Sequence, residues 1–123
     1  MNNALERNVA ATFGFLAILL GAFGAHALQG RLVTLGTTQF WQTAVLYHLV
    51  HGVVLLTLST WRPVPKAGFY LIFSGVAIFS GSLYVLALTN WKGVGAITPL
   101  GGLGMLFGWL ALMVGKSRRS CDK

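Results

Sequence analysis

Asp, Glu, Lys and Arg are absent from residues 8–30, 32–61, 67–91 and 93–115. Four uncharged runs of that length leave a chain few ways to fold in water. Soluble domains carry charge at about a quarter of their positions. Here charged residues make up 9%, hydrophobic residues 55%, and the mean hydropathy is +0.72. A bilayer crossing takes roughly 20 apolar residues. The sequence therefore predicts an all-α integral membrane protein, with residues 1–123 forming a single membrane domain.

The spans are expected at 9–28, 41–60, 67–89 and 97–115, followed by a basic tail at 116–123. The separators are "LQGRLVTLGTTQ", "WRPVPK" and "TNWKG". Each Pro of "RPVP" lacks a backbone donor and restricts the residue before it, so the chain breaks there. The first separator is longer and mildly amphipathic, enough for a short interfacial helix. Trp41, Trp61, Trp91 and Tyr70 fall near span ends, where amphipathic rings favour the membrane boundary. Trp109 lies within the fourth span and reads as a packing residue.

Four crossings put both termini on one side. That side carries Arg7, Arg62, Lys66, Lys116, Arg118, Arg119 and Lys123, against Arg31 and Lys92 on the other. The excess of bases predicts cytoplasmic termini, which in a bacterium would mean a multi-pass protein of the inner membrane. The net charge of +7 sits in loops and tail, with no soluble module to present it to nucleic acid. The tail suits anionic lipid headgroups instead. The "AHA" closing the first span resembles a signal-peptidase site, but Glu6 offsets Arg7 before it, and an uncleaved first span is expected. Cys121, the sole cysteine, cannot close an intrachain disulfide.

Sixteen glycines would weaken helices in water. In lipid, small residues let helix backbones approach closely. Ala17, Gly21 and Ala25, with Gly24 beside them, give the first span such a face. Ala77 and Gly81 offer one on the third, and Gly101, Gly104, Gly108 and Gly115 on the fourth. A tightly packed four-helix bundle accounts for them. Pro99 is expected as the first helical residue with Thr98 capping, or else as a kink in a longer helix from Gly93.

The second span holds the most informative residues. At 100° per residue with Tyr47 at zero, Thr43 falls near −40°, His51 near 40° and His48 near 100°. Leu46, Leu49, Val50, Val53 and Leu56 occupy the opposite arc. Polar groups inside a membrane turn toward the bundle, so both histidines should point inward. His48 is expected roughly 10 Å and His51 about 15 Å below the outer edge at 1.5 Å per residue. A cluster of His26, Tyr47 and His48 could form in the outer half, with His51 facing Ser74, Ser80 or Ser82.

Three roles fit these groups. Neutral imidazoles can hydrogen-bond between helices and fix their register. His26 could join His48 or His51 on a haem or metal ion. The polar groups could also line a proton path. No membrane thiolate or carboxylate supports the second role, and no carboxylate relay supports the third. No cofactor is therefore expected. No nucleophile, base and acid can be assembled within the spans, so enzymatic activity is not expected either.

"GAFGAHAL", "FWQTAVLYHLVHG", "FSGSLYVLAL" and "ITPLGGLGMLFGW" together resemble the YgdD-like inner-membrane proteins, the domain-of-unknown-function 423 family, which is related to eukaryotic transmembrane protein 256. The likeness spans all four helices. It implies a small multi-pass membrane protein of unassigned activity. The family pattern falls on Gly21, Gly24, His26, Thr43, Ala44, Tyr47 and His51. Further along it falls on Phe79 to Tyr84, which includes Ser80, Gly81 and Ser82, and on Thr98, Pro99, Gly101, Gly102, Gly108 and Trp109. His48 departs from it, since related sequences often carry Gln there. The expected role is non-enzymatic, as accessory or assembly partner of a larger membrane complex, or as a homo-oligomer.

Overall fold

A computed structural model describes residues 3–115; the basic tail and Cys121 lie outside them. The described residues form five α-helices. These are α1 (Ala4–Ala25), α2 (Gln29–Leu35), α3 (Thr38–Ser59), α4 (Lys66–Thr89) and α5 (Thr98–Val114). A 3-10 turn, Lys92–Ala96, leads into α5. α1, α3, α4 and the segment Lys92–Val114 are long and apolar enough to cross a bilayer. The protein is a multi-pass, all-α membrane bundle.

Helix ends follow local chemistry. α2 stops at Gly36, whose φ of 68° suits a residue without Cβ, and α4 stops at Asn90, φ 53°,. Pro63 and Pro65 separate α3 from α4, and Pro99 sits in the first turn of α5, where its missing N–H costs nothing,. Thr98 is helical rather than a cap; its hydroxyl meets Ser82 instead. The expected interfacial helix is α2. Arg31 Nε donates to the Leu88 carbonyl at 2.9 Å and Thr37 Oγ1 to the Ala87 carbonyl at 2.6 Å. Two of the last carbonyls of α4 are thereby satisfied, and a positive charge sits at the negative end of that helix,.

The first span begins at Ala4, five residues earlier than the apolar run suggests. Glu6 is drawn into the helix because it is buried, with Tyr70 Oη at 3.4 Å and Lys66 Nζ at 3.8 Å. Asn3 Nδ2 donates to the Ser59 carbonyl at 3.0 Å. The start of α1 is thus tied to the α3–α4 connection. α3 likewise begins before the expected residue 41, at Thr38.

Two glycine-lined hairpins make up the bundle. In the first, α1 packs on α3: a Cβ on Gly52 would meet Gly14 Cα at 3.3 Å, and one on Gly21 would meet Val45 at 3.2 Å. Gly24 leaves room for the indole of Trp41. In the second, α4 packs on α5, the tightest backbone approach in the molecule. A Cβ on Gly104 would lie 3.0 Å from Gly75 Cα; Gly101 faces Phe79 and Gly75, and Gly108 faces Ile72. Four expected packing positions fail. Ala25 and Gly115 are exposed at the ends of their helices, and Ala77 and Gly81 on α4 meet no neighbouring helix. A Cβ on Gly81 would meet nothing within 4 Å, and Ala77 is exposed, because that side of α4 faces away from α3 and α5. Gly68 and Gly75 carry the contact instead.

Polar bonds join the hairpins. Besides the bonds from Arg31 and Thr37, Ser80 Oγ donates to the Ala44 carbonyl at 2.8 Å across the α3–α4 seam. A core of Ala10, Leu55, Leu58, Phe69, Ile72, Val76 and Met105 fills the end nearest Glu6. Leu32, Trp41 and Ala87 fill the other end.

Candidate functional site

Of the four polar residues the wheel places inward, the buried arc of α3 carries His48 and His51. His48 and His51 are buried at 5% and 7% exposure, whereas Leu46, Val50 and Val53 face outward. Tyr47 and Thr43 lie at the margin of that arc; Tyr47 is 39% exposed.

His51 bridges α3 to α5. Its Nδ1–H donates to the Tyr47 carbonyl at 2.9 Å, and its Nε2 accepts the indole N–H of Trp109 at 3.1 Å. A carbonyl can only accept and an indole N–H can only donate, so the neutral Nδ1–H tautomer is fixed. Both ring nitrogens are occupied. Coordinating a metal, or taking a second proton, would require giving up the Trp109 bond. The expected partners Ser74, Ser80 and Ser82 lie elsewhere. Ser74 bonds the Tyr70 carbonyl on the exposed side of α4, and Ser80 bonds Ala44.

His48 bridges α3 to α4. Its Nδ1 and the Tyr84 hydroxyl share a hydrogen bond of 2.9 Å. The contact follows from helix polarity. Side chains lean toward their own helix N-terminus, so in antiparallel helices Tyr84 and His48 reach toward each other. His48 Nε2 is enclosed, without a partner in good hydrogen-bond geometry among the described residues, and the Phe13 ring lies 4.2 Å away. Because α3 starts at Thr38, His48 lies about 15 Å along it, deeper than the sequence suggests,.

His26 stands apart. It is the exposed residue closing α1, thirteen positions or about 20 Å of helix beyond Phe13, the residue stacked on His48,. The His26–Tyr47–His48 cluster therefore does not form, and a shared ligand for His26 and His51 would need the two helices rearranged. Among the described residues no group of three or more His, Cys, Asp or Glu side chains converges.

Two tryptophans carry more than the sequence reading assigns them. Trp41 is a buried wedge, 3% exposed, rather than a boundary residue, and its Nε1–H donates to the Leu20 carbonyl at 3.0 Å. Trp109 is the donor to His51. An indole N–H at membrane depth must find an acceptor, and that requirement is the signal that could have paired Trp109 with a histidine. Ser82 and Thr98 complete the set, their hydroxyls 2.6 Å apart between α4 and α5.

Interhelical hydrogen bonds inside membranes contribute about 0.6 kcal/mol on average. A double-mutant cycle of His51→Ala and Trp109→Phe should accordingly give a coupling of about 0.5–1.5 kcal/mol in detergent unfolding. Additive effects would show that the pair is geometric only.

Fold and site together define a compact polytopic helical membrane protein with a polar, hydrogen-bonded interior. Comparison with known proteins then narrows the class. The model for proteins of unknown function, DUF423, matches residues 20–102. The chain is 42% identical over 106 residues to the UPF0382 membrane protein YwdK of Bacillus subtilis, covering 80% of this chain and 85% of that protein. A UPF0382 membrane protein of Staphylococcus haemolyticus is 44% identical over 104 residues, covering 80% and 84%. One from Schizosaccharomyces pombe is 36% identical over 115 residues, covering 87% and 97%. No solved structure matches. The chain belongs to the DUF423 family.

Proposed function

We propose that this protein is a non-enzymatic accessory or assembly partner of a larger membrane complex, seated in a bacterial inner membrane with both termini cytoplasmic. One observation carries this reading. The polar side chains His48, His51, Ser80, Ser82, Tyr84 and the half-exposed Trp109 make their hydrogen bonds between or along helices rather than converging on a common point. Such an interior makes a rigid body.

The outer surface is suited to contact with lipid or with other helices. Phe15, Ile18 and Phe23 on α1 are exposed, as are Leu106, Phe107 and Met113 on α5. Orientation rests on the bases: Arg7, Arg62 and Lys66 lie at the Glu6 end, where α5 also ends, with Leu112 against Gly68,.

Purification in mild detergent from cells expressing the protein at native level tests the reading. The expected result is a stoichiometric larger assembly, of one partner or of several copies. A bare monomer would count decisively against it.

A further inference from the structure

α3 and α5 both pack on α4 but not on each other, and the Trp109–His51 hydrogen bond bridges the gap between them. The exposed Tyr47 and Trp109 flank that gap, and with the half-buried Phe79 between them it reads as a groove on the lipid-facing surface. Phe79 of α4 is its floor. Thr43, Tyr47 and His51 form one wall, and Gly102 and Trp109 form the other.

Its shape is set by aromatic rings and one glycine. The Tyr47 ring lies against Phe79 at 4.7 Å and parallel to His51 at 6.1 Å, 8° between planes. Trp109 meets His51 edge-on at 6.0 Å and is itself 44% exposed. A Cβ on Gly102 would touch only Phe79, at 4.0 Å, so the wall opposite Tyr47 leaves space.

Its chemistry is that of unused donors. Neither the Tyr47 hydroxyl nor that of Thr43 has a hydrogen-bond partner among the described residues. Thr34, Thr57 and Thr89 all donate to the carbonyl four residues back, whereas Thr43 does not. Thr43 and Tyr47 are one helical turn apart, and the Tyr47 ring leans toward Thr43, in the direction of the helix N-terminus. Their positions are about 8 and 14 Å along α3 from Thr38, inside a hydrocarbon core roughly 30 Å thick,. Acyl chains offer no acceptor at that depth, and an unmet donor there is costly.

We infer that the groove binds the flat, carbonyl-bearing ring of a lipid-soluble quinone, which rests on Phe79 and accepts hydrogen bonds from Tyr47 and Thr43. A rigid planar ring matches the aromatic walls. A quinone carries its carbonyl oxygens into the hydrocarbon, whereas the ester carbonyls of phospholipids stay near its edge. The inference concerns binding and is independent of the accessory role.

The test uses the full-length protein in phosphatidylcholine nanodiscs, titrated with a ubiquinone bearing one isoprene unit and followed by quenching of tryptophan fluorescence. Quenching should saturate. Tyr47→Phe, which keeps the ring and removes the donor, should weaken binding about tenfold, the equivalent of one hydrogen bond. Gly102→Leu should abolish saturable quenching while helical circular dichroism is retained. Linear, unsaturable quenching of the unmodified protein would overturn the inference. So would equal affinity in Tyr47→Phe, which is expected to fold normally even if Gly102→Leu does not. Displacement of the quinone by an equal amount of phosphatidylglycerol would also overturn it, assigning the groove to a lipid ester.

Discussion

Gly101→Ala should lower the stability of the bundle by about 2 kcal/mol, within the range for overfilling a packed interface. The added methyl would collide with the backbone of α4: Phe79 Cα would lie 2.7 Å away and the Gly75 carbonyl 2.6 Å away. Backbone cannot rotate aside as a side chain can, so α4 and α5 must separate along their whole contact. Gly81→Ala is the matched control. It adds the same methyl to a helix where nothing lies within 4 Å, and it should be neutral or slightly stabilising, because alanine favours helix over glycine. Thermal unfolding of both variants in one detergent decides the matter. Equal midpoints would mean that close backbone approach is not what holds α4 to α5.

Trp41→Ala carries the second large effect, about 3–5 kcal/mol, the range for removing a buried aromatic side chain. The indole is 3% exposed and fills the space between α1, α3 and α4 at the α2 end. Its ring lies 4.7 Å from Tyr84 and its N–H meets the Leu20 carbonyl. The pocket exists because residue 24 has no side chain, since a Cβ there would overlap the indole. Gly24→Ala should therefore also destabilise the protein. The double variant Gly24→Ala/Trp41→Ala should lose less than the sum, because each change makes room for the other. Strict additivity in chemical unfolding would rule out this lock-and-wedge account.

The span count, the breaks and the α2 segment were legible in the sequence because charge and proline act locally. The inward face of α3 was legible for a similar reason, since a helix imposes one period on everything it carries. The start of α1 was not. Nothing local marks Glu6 for burial; its partners Lys66 and Tyr70 lie some sixty residues away.

The same limit governed the histidines. Periodicity shows which way His51 points but not what waits there, and the acceptor–donor match with Trp109 depends on how α5 is rotated about α4. His26 was misplaced because depth in the outer half does not say which side chains meet, and His48 lies deeper than its expected span start implies. Of the glycines, Gly101, Gly104 and Gly108 were found by spacing within α5. Gly75, which faces them, has no small neighbour three or four residues away; Gly68 and Ser82 lie a full heptad off on either side.

Close glycine contacts lie within each hairpin, while Thr37, Ser80 and His48 make hydrogen bonds across the seam, and this arrangement bears on biogenesis. Residues up to Ser59 contain everything that α1 and α3 need to close on each other. A ribosome still translating the second half could thus leave a finished pair of helices in the bilayer. The later pair would then be received by directional bonds at the Thr37 hydroxyl, the Ala44 carbonyl and the His48 ring, which accept one register and reject a slip of a single turn. Insertion order and final alignment are governed by different forces, acting at different times.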